Sequence, residues 1–193
     1  MSLEPLRALV SGFALLLARN PDEPEILKTG GRLLGALVAR DSWLPEAFAQ
    51  VGERGYAQHL LHCDSAERFS VVSFAWAPGA STPVHDHTVW GLIGVLRGAE
   101  LSQPFAITAE GLAQTGSARR LGPGEVEAVS PGIGDIHKVT NAFADEVSVS
   151  IHVYGGNIGA VRRHIFEPDG LTRLFVSGYS NAEVPNIWRE EVA

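Results

Sequence analysis

Apolar residues at Leu3, Leu6, Val10, Phe13 and Leu17 recur three or four positions apart, the spacing of one buried helix face. "NPDEPE" (20–25) then supplies an Asn cap and prolines suited to a helix start. A second helix is expected over "EILKTGGRLLGALVAR" (25–40), weakened by Gly30 and Gly31, and a short third over "WLPEAFAQ" (43–50). From about residue 55 the period changes. Short β-rich runs such as "RFSVVSFAWA", "WGLIGVLRG", "AELSQPFAIT", "GEVEAVS", "HKVTNAFADE", "VSVSIHVYG" and "RLFVSGY" alternate with Gly/Pro turns such as "PGASTP" and "PGIGD". Many short strands with such turns predict an antiparallel barrel or double-sheet jelly roll. No repeat, linker or low-complexity tract divides the chain. The expectation is one domain over 1–193, with a helical cap about 1–50 and a β barrel about 55–180.

Composition narrows the function classes. With 45% hydrophobic and 19% charged residues, the chain reads as globular rather than disordered. A net charge of −7 argues against nucleic acid as a partner, because phosphate binding needs a basic surface. It also means that an anionic substrate would require a local cation. The single cysteine, Cys63, excludes an internal disulfide and suits a reducing cytosol. "ALVSGFALLLA" (8–18) is too short to span a bilayer, and it lacks a signal-peptide cleavage pattern after it. A cytoplasmic helix, with no membrane partner, is expected.

"STPVHDHTVWGLIGVLRG" (81–98) carries the candidate chemistry. Residues two apart in a strand share a face, so His85 and His87 can aim two imidazoles inward while Asp86 points elsewhere. His137 opens the strand after "SPGIGDI"; if that strand lies beside the first, three nitrogens meet at one point. HxH alone is a weak signal. Here it sits in G(x)5HxH, and "GIGDIHKVTN" supplies G-x-x-H-x-x-x-N through Gly134, His137 and Asn141. A divalent metal held by three neutral imidazoles keeps its full charge and open positions. Ligand count alone leaves iron and zinc open. Ser150, His152 and Tyr154 form a second row on one strand face; by spacing alone they read as buried, hydrogen-bonded side chains.

The two histidine boxes resemble the paired motifs of the cupin superfamily. That resemblance implies a mainly β fold, a double-stranded β-helix (jelly-roll barrel) with N-terminal helices. Where cupins commonly place a glutamate ligand, this chain has Gly91. "HDHT" (85–88), "GDIHKVTN" (134–141) and "SIHVY" (150–154) are together similar to the thiol dioxygenases, the family containing cysteine dioxygenase, over roughly residues 55–180. The resemblance implies Fe(II) on His85, His87 and His137, with a thiolate and O₂ taking adjacent positions and both oxygen atoms passing to sulfur to give a sulfinate. It also implies that Tyr154 places its hydroxyl over the metal site, oriented by His152, which Ser150 orients in turn. His152 as a fourth ligand is a minor alternative. Asn141 is expected to hold a turn.

Two departures bear on substrate. A cysteine that crosslinks to the tyrosine in the mammalian enzymes is replaced by Gly91, so Tyr154 is expected to be unmodified; Cys63 is too displaced along the motif to substitute. The arginine of their Tyr-x-Arg segment is Gln58 in "GYAQHLL". This Gln form resembles the bacterial 3-mercaptopropionate dioxygenases, which place an arginine after the Tyr motif. "GAVRRHIF" offers Arg162 and Arg163, and family spacing favours Arg163 as the carboxylate anchor, beside Tyr154; the alternative is two solvated arginines in a loop. The expected substrate is a small thiol carboxylate, 3-mercaptopropionate ahead of cysteine. The competing readings are cysteine dioxygenase, another cupin enzyme, and a non-catalytic metal- or small-ligand-binding barrel. His59, His62 and His164 receive no metal role.

Overall fold

The structure is a computed structural model that describes residues 2–53 and 55–189. Two helices come first, α1 (Glu4–Leu17) and α2 (Glu23–Val38), then a 3₁₀ turn at Glu46–Phe48 in place of the expected third helix. The α2 cap differs from the sequence expectation. Asn20 takes a left-handed φ of 51° behind α1, and Asp22 caps α2, its carboxylate accepting the Glu25 N–H at 3.0 Å. Asn tolerates that backbone region better than most residues, so it ends one helix, and the next acid along starts the other.

Among the described residues, twelve strands follow: β1 (Tyr56–Cys63), β2 (Ser70–Trp76), β3 (Val84–His85), β4 (Gly91–Arg97), β5 (Glu100–Thr108), β6 (Gly111–Gln114), β7 (Arg119–Leu121), β8 (Val126–Val129), β9 (His137–Asn141), β10 (Ser148–Tyr154), β11 (Arg163–Phe166) and β12 (Thr172–Phe175). One sheet runs β1-β2-β10-β4-β8; the other runs β12-β11-β3-β9-β5-β6, with β7 also pairing β5. Neighbouring strands pair antiparallel throughout, and the two sheets face each other as a jelly roll. This is the cupin double-stranded β-helix, mainly β with N-terminal helices. Among the described residues, no helix is long and apolar enough to cross a membrane.

Strand alternation explains how the first sheet serves two cores. Val149, Ile151 and Val153 of β10 pack with Leu92, Leu96 and the helix residues Leu6, Phe13 and Leu34. The intervening residues Ser150, His152 and Tyr154 face the barrel interior, where Val72, Phe74, Trp76 and Val139 pack around Tyr154. Helices on one face and the second sheet on the other leave the whole of β10 buried.

The glycines of α2 are not equivalent. A Cβ at Gly30 would sit 2.8 Å from both Leu92 Cδ1 and the Phe13 ring, whereas at Gly31 the nearest atom is 4.0 Å away. Gly31→Ala is therefore expected to stabilise the protein by about 0.5–1 kcal/mol through helix propensity. Gly30→Ala, which forces the rigid Phe13 ring aside, is expected to lose a net ~1 kcal/mol despite the same propensity gain. Thermal denaturation of the two variants should move Tm in opposite directions.

Candidate metal centre and its outer partners

His85 ends β3 and His137 begins β9; they are direct cross-strand partners in the only register pair joining those strands. The expected strand through both His85 and His87 is shorter than the HxH pattern suggests, since β3 stops at His85. A carboxylate turns His87 inward instead. Asp135 accepts the backbone N–H groups of His87 at 3.0 Å and Thr88 at 2.8 Å, and Thr88 adopts a left-handed φ of 60°. The second Asp135 oxygen bonds His87 Nδ1 at 2.8 Å. Asp86 points away, as expected, and binds the backbone N–H and ring of His164 at 2.7 Å each.

The three imidazoles converge. Their ring centroids lie 5.0 Å apart in all three pairings, and one nitrogen from each lies within 4.8 Å of the others, close enough to share an ion. Each Nδ1 already has an outer partner: the Pro83 carbonyl at 3.1 Å for His85, Asp135 for His87, and the Ser102 hydroxyl at 3.3 Å for His137. That leaves three Nε2 atoms aimed inward, each ring fixed by a second contact. Burial, and then proximity to His87, drives the His85 pKa down to about 3; burial and the neighbouring imidazoles push His137 well below the ordinary histidine value. Both are therefore neutral donors near pH 7. Burial alone would raise Asp135, but the hydrogen bonds from His87 and Thr88 outweigh it and hold the carboxyl below its usual value. The residues present fit a divalent cation. Gly91 contributes no ligand; it pairs with Tyr154, and a Cβ there would lie 3.0 Å from the Tyr154 ring.

The polar row on β10 is a continuous hydrogen-bonded chain. Tyr154 Oη contacts His152 Nδ1 at 2.8 Å, and His152 Nε2 contacts Ser150 Oγ at 2.8 Å. The Trp76 indole N–H donates to Ser150 Oγ at 3.1 Å. Both nitrogens of His152 are thus occupied, which removes it as a fourth metal donor. Burial lowers the His152 pKa well below its ordinary value and raises that of Tyr154, so both are neutral. The Tyr154 ring stacks on His87, 5.2 Å between centroids, which places the chain beside the imidazole trio.

A cavity of about 680 Å³ opens onto this trio. Arg163 lies on its wall, only 3% exposed, on β11 and not in a solvated loop; Arg162 is exposed. Arg162 precedes β11 and Arg163 is its first residue. The Arg163 guanidinium lies over the Phe175 ring at 4.6 Å and donates to Ser177 Oγ at 2.6 Å, while its buried Nε has no partner. Gln58 also lines the cavity, but its amide is committed to Ser177 Oγ at 3.2 Å and the Gly178 carbonyl at 3.1 Å. Asn141 holds a turn, as expected: its amide donates to three carbonyls, and its oxygen accepts from Phe143 N–H and Ser148 Oγ. His59 binds the Gln50 carbonyl at 2.8 Å and takes no part in the site.

Sequence reasoning missed Asp135, Ser102 and Trp76. Asp135 stands two residues before His137, and a carboxylate so near a candidate ligand was a usable signal; the other two carried none.

Fold and site together define a cupin barrel enclosing a three-imidazole metal-binding site. Residues 38–166 match the family described as cysteine dioxygenase type I, and the chain belongs to that family. Among solved structures, the chain is similar to an oxalate oxidase bound to glycolate (19% identity, 60% of each chain covered, TM-score 0.43). It is also similar to TT1209 from Thermus thermophilus (19% identity, 57% of this chain and 92% of that one, TM-score 0.45). A third similarity is to a Klebsiella pneumoniae protein with a double-stranded β-helix domain (16% identity, 69% and 97% covered, TM-score 0.47). These likenesses carry no information about chemistry.

Proposed function

We propose that the protein is an Fe(II)-dependent dioxygenase of a small mercapto-carboxylate, with 3-mercaptopropionate preferred to cysteine, giving the sulfinate. The observation that carries this reading is Arg163, a buried cation with an unsatisfied Nε on the wall of the cavity that holds the three imidazoles. In an acidic protein such a group suits an anionic ligand, and a guanidinium matches a carboxylate. Its charge bears on both His85 and Tyr154, so a short carboxylate held there would bring its other end to the metal site. Among the described residues lining the cavity, Glu53 is the one acid, and it is exposed. Asp135 is taken up on the outer side of His87, and among the described lining residues no carboxylate beside the imidazoles faces the cavity to meet a substrate ammonium, which favours a ligand lacking the α-amino group.

Fe(II), held by His85, His87 and His137, would supply redox chemistry that no side chain provides. The remaining work falls to the chain. Arg163 holds the carboxylate, the Tyr154 hydroxyl faces the reacting atoms, His152 and Ser150 fix that hydroxyl, and Phe74, Trp76 and Ile165 keep the wall apolar. Gln58 positions Ser177, which in turn positions Arg163.

An oxygen electrode tests the reading. Iron-loaded protein should consume O₂ with 3-mercaptopropionate, more slowly with L-cysteine by kcat/KM, and not with propionate. Preference for cysteine would reassign the substrate, and no uptake with any thiol would favour a binding module.

A further inference from the structure

Glu100 is a carboxylate with no assigned task. It lies on β5, 1% exposed, and neither of its oxygens has a hydrogen-bond partner of good geometry. An unpaired buried carboxylate is costly, so it either holds a proton or serves a function. The groups facing it are the Ser150 hydroxyl on β10 and the Trp76 indole N–H on β2. Glu127 of β8 adds a second negative charge, itself 3.6 Å from Arg119 of β7. Tyr154 also feels its charge. Cross-strand from Glu100 stand Asn141, whose amide is fully engaged, and Leu121. Among the described residues, no cation neutralises it.

We propose that Glu100 is the proton-holding end of the Tyr154–His152–Ser150 chain, and that its protonation state sets whether Tyr154 donates or accepts a hydrogen bond toward the cavity. Donor counting gives the mechanism. Ser150 Oγ has one hydrogen and two lone pairs, and the Trp76 N–H occupies one of those lone pairs. Neutral His152 carries one N–H, so its two contacts must run in the same direction along the chain. The Glu100 carboxyl faces the Ser150 hydroxyl without a hydrogen bond to it and closes the chain by turning toward it. Once turned and protonated, its O–H donates to Ser150, Ser150 donates to His152 Nε2, and His152 Nδ1–H donates to the Tyr154 oxygen. The Tyr154 O–H then points into the cavity. With Glu100 ionised, every bond reverses: Tyr154 donates to Nδ1, Nε2–H donates to Ser150, and Ser150 donates to the carboxylate. Ser150 is saturated in both states.

The two states differ by one proton delivered to the cavity. Tyr154 gives its hydrogen to an oxygen or sulfur base of the substrate and takes the Nδ1 hydrogen. Nε2 takes the Ser150 hydrogen, and Ser150 takes that of Glu100. Tyr154 and His152 end neutral, and the negative charge rests on Glu100. Burial first, with Glu127 in support, raises the Glu100 carboxyl to about 7 against the opposing Ser150 and Trp76 contacts, so both states are accessible near neutrality. Burial disfavours a phenolate at Tyr154, which makes the remote acid the better place for the charge. Glu100 acts through other groups and is a positioning residue for Tyr154. The idea rests on the proposed function only for the identity of the proton acceptor.

Nitrogen NMR of the full chain, labelled with ¹⁵N-histidine and loaded with diamagnetic Zn(II), reads the chain without any turnover. His152 should change from the Nδ1–H to the Nε2–H tautomer as pH rises, with a midpoint near about 7 and no imidazolium. Glu100→Gln, which does not titrate, should hold one tautomer at every pH; in iron-loaded protein the same variant should erase the corresponding ionisation from the pH profile of kcat. A wild-type His152 that keeps one tautomer throughout overturns the proposal, with no variant needed. So does a Glu100→Gln protein that still switches at the same midpoint. A switch without thiol-dependent O₂ uptake would sink the dioxygenase reading alone, and uptake without a switch would sink the Glu100 role alone.

Discussion

His137→Ala is expected to lose stoichiometric metal and thiol-dependent O₂ uptake together. The barrel offers three protein donors, and two imidazoles without a carboxylate hold a divalent ion poorly. Asp135→Asn grades the same effect: the ring of His87 stays but loses its anionic partner, so affinity should fall about 10- to 100-fold. Metal analysis after dialysis, with circular dichroism to confirm folding, checks both variants. Full iron occupancy in His137→Ala would remove that residue from the ligand set. The pH dependence has a definite sign. His85 and His137 have folded-state pKa values below the unfolded value of about 6.5, so the unfolded chain binds more protons in acid. Stability should decline as pH falls from about 6.5 toward the His85 value of about 3, and proton competition for the metal site should set in only near that lower value.

Arg163→Ala should raise the apparent KM for the thiol carboxylate by roughly 10- to 150-fold, the equivalent of losing a charge-assisted hydrogen bond of about 1.5–3 kcal/mol. Iron content should change little, because the guanidinium touches Ser177 and Phe175 rather than an imidazole. Arg163→Lys keeps the charge but loses the planar pair of donors, and should recover only part of the affinity. Arg162→Ala, at an exposed position, is the control. An unchanged KM in Arg163→Ala would move the anchor elsewhere.

Strand periodicity made the central residues legible. The i, i+2, i+4 spacing of Ser150, His152 and Tyr154 maps directly onto one face of β10, and the histidine boxes sit at the ends of strands that do pair. Arg163 could be separated from Arg162 only when the start of β11 was fixed, with Arg163 buried as its first residue and Arg162 exposed just before it. β1 escaped notice because its burial does not alternate cleanly: Ala57, Gln58 and His59 are buried in succession, and a bulge shifts the register between Leu60 and His62. The outer partners depend on register over long separations. Asp135 reaches His87 across 48 positions, and Trp76 reaches Ser150 across 74. Local spacing holds no record of such meetings. The same holds for Gly30, whose cost to helix propensity is visible in sequence while the Phe13 ring pressed against it is not.

β3 is two residues long, and β9 grips it through a single cross-strand pair. Because that pair is His85 with His137, a cation shared between them would act as a rivet at the most weakly stitched seam of the barrel, closing a long loop of chain. Occupancy of the centre would then govern how firmly the mouth of the jelly roll holds together, making the ion a fastener as well as a reagent.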